Sequence, residues 1–105
     1  MTNQELLEVA KELFQKCLDT LESKGRVYSG RVDAFRNFTS IANELGISRK
    51  MVWWVYFRKH IDAIRTYITC DYKDPEPIEG RIMDAINYLI LLYGMIEQDK
   101  KFKEG

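Results

Sequence analysis

The chain is short of most of the devices that announce chemistry. It holds two cysteines, Cys17 and Cys70, and one histidine, His60. With no Cys-x-x-Cys spacing, neither a disulfide framework nor a zinc site is indicated, and both cysteines are expected as reduced thiols. His60 has no serine or cysteine at a spacing that suggests an activated nucleophile, so it reads as a core or interface histidine. No glycine-rich phosphate loop is present; Gly80 and Gly94 fall inside a helical pattern, where they would permit close packing. Neither charge sign dominates: sixteen basic and sixteen acidic residues cancel. A strong field of the kind that accompanies nonspecific nucleic-acid binding is thereby excluded. The apolar run from Ala85 to Ile96 is too short to cross a bilayer and is interrupted by Asn87. The amino terminus lacks a basic region followed by an apolar stretch, so no signal peptide is expected, and the protein is expected to be soluble and cytoplasmic. Proline occurs only twice, at Pro75 and Pro77, both within one linker.

What remains is helical periodicity. At 105 residues the chain is one domain, 1–105, of a size that can bury roughly two-thirds of its unfolded surface. Helix 1 begins at a capping box, Thr2 with Glu5, and carries Leu6, Val9, Ala10, Leu13, Phe14, Cys17 and Leu21 at amphipathic spacing up to Gly25. Arg26 to Gly30 reads as a loop. Helix 2 places Phe35, Phe38, Ile41, Ala42 and Leu45 on one stripe and ends at Gly46. Helix 3 opens with Ser48 as N-cap and should run to about Cys70. Its apolar residues circle the axis, which predicts a helix buried in the domain or shared with another subunit; in so small a chain a homo-oligomer is favoured. Residues 71–77 form a charged, proline-bearing linker, with Pro75 or Pro77 near the first turn of helix 4. Helix 4 is expected to reach about Asp99, followed by a frayed tail over 100–105.

The residues that stand out are polar groups on otherwise apolar helices. On helix 4, Asp84 and Asn87 are i, i+3 neighbours with Tyr88 beside them, and Glu79 lies on an adjoining row. Polar groups on a buried helix are costly unless paired, so they need a structural partner or a ligand. Asp33 and Asn37 repeat the acid-and-amide rhythm on helix 2, where alone they would read as a capping aspartate and a solvated asparagine. Lys59 lies in an apolar row of helix 3 and either snorkels, pairs with Asp84, or meets an anionic ligand. Together these could line a polar pocket between helices, with Arg81, Lys59 and Tyr28 at its edge. Glu76, Glu79 and Asp84 are the candidates for a magnesium site, although acids near a helix N-terminus are equally explained by the macrodipole. A second pattern competes. Ile41 to Ser48 followed by Val52 and Val55 matches helix-turn-helix spacing, and a recognition helix would present Ser48, Arg49, Lys50, Met51, Trp53 and Trp54; paired tryptophans are odd base readers, and nucleic acid is not the favoured partner.

The runs Tyr28 to Gly30, Asp33 to Phe38, Lys59 to Ile64 and Glu79 to Tyr88 resemble a family of small phage and prophage proteins. More distantly, the final run is similar to the phage nucleotide-modification-associated domain and to the all-α MazG-like nucleotide pyrophosphohydrolases. The chain departs from the latter in lacking a second Glu-x-x-Asp pair on a later helix. The resemblance implies a pocket for a nucleotide or nucleotide-derived molecule, and by analogy an anti-defence protein that sequesters a host immune signal without a cofactor. In that reading Tyr28 or a tryptophan stacks on a base, Lys59, Arg36 and Arg81 meet phosphate, and Asp33, Asn37, Asp84 and Asn87, beside Tyr88, read hydrogen bonds. Two alternatives stand: a magnesium-dependent MazG-like pyrophosphohydrolase using Glu76, Glu79 and Asp84, and a helix-turn-helix DNA-binding protein. The fold expected in each case is all-α, with four helices and no membrane partner.

Overall fold

A computed structural model describes residues 1–24, 33–70 and 75–104, and these form four α-helices with no strand among them. Helix α1 spans Asn3–Lys24, α2 Arg36–Leu45, α3 Arg49–Thr69 and α4 Ile78–Glu104. No helix among the described residues is long and apolar enough to cross a membrane. The Arg26 to Gly30 loop, Tyr28 included, and most of the 71–77 linker lie outside the described residues.

Local chemistry sets the boundaries. The Thr2 hydroxyl accepts the Glu5 backbone N–H at 3.1 Å, and the Ser48 hydroxyl accepts that of Met51 at 3.2 Å. Each satisfies one orphan donor of a first turn. Gly46 ends α2 in the left-handed conformation at φ 69°, with its N–H on the Ala42 carbonyl. The Pro77 carbonyl accepts the Gly80 N–H at 3.1 Å, so the proline stands immediately before the first turn of α4. Helix α4 continues past Asp99 to Glu104. Nothing between 99 and 104 breaks a helix, and Lys100 and Lys101 complement the negative end of its dipole.

Helix α4 is central. Helices α3 and α1 both pack on it, and α2 packs on α3. The core gathers Phe38 and Ala42 of α2, Val52, Trp53 and Phe57 of α3, and Ala85 and Met95 of α4. Trp53 stacks on Phe57 with centroids 4.6 Å apart, and its indole N–H donates to the Tyr88 carbonyl at 2.6 Å. Phe38 meets Tyr56 and Tyr88 edge-on, each at 6.2 Å. At the far end of the hairpin, Asp99 accepts from Arg49 at 3.1 Å and from Lys50 at 2.8 Å, and the Arg49 guanidinium lies 5.2 Å from the Phe35 ring centroid.

One expectation about burial changes. Helix α1 is expected as an ordinary core helix, yet Cys17 is its only fully buried residue and Leu6, Val9 and Phe14 are exposed. The reason is that α1 leans chiefly on α4. Helix α3 is apolar all round, yet Trp54, Val55, Ile61 and Ile68 are bare in the single chain. The radius of gyration is 16.0 Å, where a compact domain of this length has about 13 Å.

Gly46 supplies a direct test of the turn. A Cβ there would meet nothing within 4 Å, so Gly46→Ala introduces only the strain of a positive φ. The expected result in urea denaturation is a loss of about 1 kcal/mol with an unchanged m-value.

Candidate functional site

A cavity of about 660 Å³ opens on one side of α4, between the end of α1, the length of α2 and Tyr56 of α3. The amphipathic stripe of α2 makes one wall, with Phe35, Phe38 and Ile41 facing it. Gly94 admits Phe35 here: a Cβ on residue 94 would come within 3.0 Å of the Phe35 ring. Opposite stand Asp84, Asn87, Tyr88 and Leu91, successive members of one face of α4.

Asn87 is the decisive residue. It is 7% exposed, and its Oδ1 has no hydrogen-bond partner among the described residues. A buried acceptor left unpaired costs about 1–3 kcal/mol, a penalty that a donor entering the cavity would remove. Asp84 is half-buried and takes an ion pair from Lys24 of α1 at 3.4 Å. That lysine occupies the place foreseen for Lys59, which is exposed on α3.

The Asp84 carboxylate also acts on two buried neighbours, Cys17 and His60, and on the partly buried Tyr88. Burial pushes the Cys17 thiol up, and Asp84 pushes it further. The Tyr88 hydroxyl is raised first by burial, then by Asp84 and Tyr56. His60, tilted against the Tyr88 ring with centroids 4.8 Å apart, is held below its ordinary value by burial. Asp84 partly opposes that shift, whereas Lys59, Arg81 and Lys24 reinforce it. His60 is also buried, with an Nδ1 that has no partner among the described residues.

Of the residues singled out in the sequence, Asn37, Asp84, Asn87 and Tyr88 line the cavity. Asp33 accepts the Phe35 N–H at 2.9 Å and shapes the entry to α2. Arg36 and Lys59 are exposed and outside the lining, and Arg81 pairs with Glu76 at 3.3 Å. Glu79 is exposed. Glu76, Glu79 and Asp84 do not converge, and among the described residues no group of three or more histidine, cysteine or acidic side chains could hold a metal ion. The helix-turn-helix segment has the expected turn at Gly46, but Trp53 is buried against α4, and Arg49 and Lys50 are both engaged by Asp99.

Lys24, Tyr56 and the α2 aromatics were not foreseen as site residues. Periodicity marks the aromatics as core, and only the chain's path shows that part of the core is hollow. Compared with protein-family models, curated proteins and solved structures, the chain finds no match in any of the three.

The depressed His60 gives a pH signature. A base whose folded pKa lies below its ordinary value of 6.5 is more readily protonated when unfolded. Stability is therefore full above pH 6.5 and falls as pH drops from there towards the folded value. Urea midpoints measured from pH 7.5 to 5 should show this decline, and His60→Phe should flatten it.

Proposed function

We propose that this chain is a phage-type binding protein for a nucleotide or nucleotide-derived signal, held in the cavity on α4 and kept from its effector in the host cytoplasm. The observation that carries the reading is the buried Asn87 Oδ1, unpaired among the described residues, at the wall of a largely apolar cavity that holds four aromatic rings. A planar base stacks between the rings of Phe35, Phe38, Tyr56 and Tyr88 and donates an exocyclic or ring N–H to Asn87. Asn37 and Ser40 offer further hydrogen bonds at the α2 wall. Lys24, bound to Asp84 yet more than half exposed, is the cation available to a phosphate at the rim. Arg36 and Lys59, exposed beyond the lining, reach only the parts of a larger ligand that project outwards.

Withholding is favoured over cleavage because the carboxylates do not gather: Arg81 takes up Glu76, and Glu79 stands away from the cavity. The ligand then leaves chemically unchanged, no cofactor is required, and the protein works as a homo-oligomer.

Calorimetry with nucleosides, nucleoside phosphates and cyclic dinucleotides tests the reading through Asn87→Leu. This substitution keeps the volume and removes the unpaired acceptor. It should stabilise the free protein by about 1 kcal/mol while weakening binding roughly tenfold or more. Ligand released by denaturing the complex should be intact by mass spectrometry. The proposal falls if no member of the panel binds, or if Asn87→Leu binds as the wild type does.

A further inference from the structure

The cavity occupies one side of α4; the opposite side is left uncovered by the described residues. Cys17 of α1 approaches the Met83 carbonyl at 4.0 Å, whereas α3 meets α4 through Ala85, Tyr88 and Met95. At about 100° per residue these two contacts lie on opposite flanks of α4. The stripe left between them, away from the cavity, is Ile82, Ile86, Leu89, Tyr93 and Ile96, spaced i, i+4, i+7, i+11, i+14. That is the spacing of a coiled-coil seam. Leu89 is 49% exposed and Tyr93 68%.

Helix α3 continues the same surface. Tyr56 marks its cavity side, and the flank on the other side of its α4 contact carries Trp54, Ile61 and Ile68 at i, i+7, i+14, all exposed. One open apolar face therefore spans the α3–α4 hairpin.

We infer that this face is the docking surface for a second copy of the chain, with the two α4 helices packed antiparallel about a two-fold axis near Leu89. Area supports a partner of this kind. The chain exposes 8376 Å² at 12.4 kDa, whereas a monomer of that mass exposes about 6,100 Å². The surplus exceeds the roughly 800 Å² that each partner contributes to a standard interface. A two-fold pairing also needs only one self-complementary patch, which this face is.

Charge fixes the direction. The stripe begins one step earlier at Glu79 and ends one step later at Lys100. Glu79 makes no ion pair among the described residues, and Lys100 makes only an exposed i, i+3 contact with Glu97 at 3.5 Å. Antiparallel packing brings the Glu79 end of one helix to the Lys100 end of the other, within about one helical turn. Parallel packing would set Glu79 against Glu79 and Lys100 against Lys100.

The inference rests on the homo-oligomer of the preceding section, assigns its surface, and does not depend on the ligand. Analytical ultracentrifugation of the wild type should give twice the chain mass of 12.4 kDa. Leu89→Glu with Tyr93→Glu, both at exposed positions, should sediment at the single-chain mass with unchanged helicity. Glu79→Lys and Lys100→Glu should each raise the dimer Kd by about two- to fivefold, and the double reversal should return it to within about twofold of wild type. A monomeric wild type removes both the homo-oligomer and this surface. A wild-type oligomer that the Leu89/Tyr93 pair leaves intact removes the surface and spares the homo-oligomer. A double reversal weaker than either single one removes the antiparallel arrangement.

Discussion

The hydrogen bond from the Trp53 indole to the Tyr88 carbonyl, at 2.6 Å, fixes how α3 lies on α4. A helical carbonyl already serves its own ladder, so this second bond forms only where the indole is held edge-on to the helix. Phe57 holds it there by stacking at 4.6 Å. With that rotation set, Tyr88 turns towards α2 and His60, and its neighbour Asn87 turns to the cavity. A small rotation of α4 about its axis would send Asn87 to solvent and end its isolation.

The same constraint separates the two sides of α4. On one side α2 is held away from α1 by its own packing on α3, so the aromatics of α2 close over a hollow instead of meeting α4 everywhere. On the other side no element among the described residues covers the apolar stripe, and the single chain keeps an extended shape with little interior. The cavity and the exposed apolar stripe thus arise from one helix used on two faces. Asp84 stands at the margin of the first, close enough to influence Cys17, His60 and Tyr88 together.

Much of this architecture was legible in the sequence because it is local. Thr2, Ser48 and Gly46 mark helix ends through bonds made within three or four residues, and each forms as its residue type implies. The apolar circumference of α3 was legible too, and α2 and α4 leave part of it exposed. Asn87 stood out as an amide on an apolar helix. Partnering was harder to read. Lys59 and Lys24 are both cations near apolar rows, and nothing in their spacing says which one reaches Asp84; that depends on α1 crossing α4 near residue 84.

By itself the sequence determined the four helices, their caps, and the presence of polar groups along an apolar α4, because periodicity and capping act over one or two turns. Only the tertiary structure decided that Asn87 is walled in without a partner among the described residues, that Glu79 faces away, and that Trp53 belongs to the core while Trp54 does not. Those outcomes depend on the rotation and crossing of whole helices, to which residues far apart in the chain contribute together.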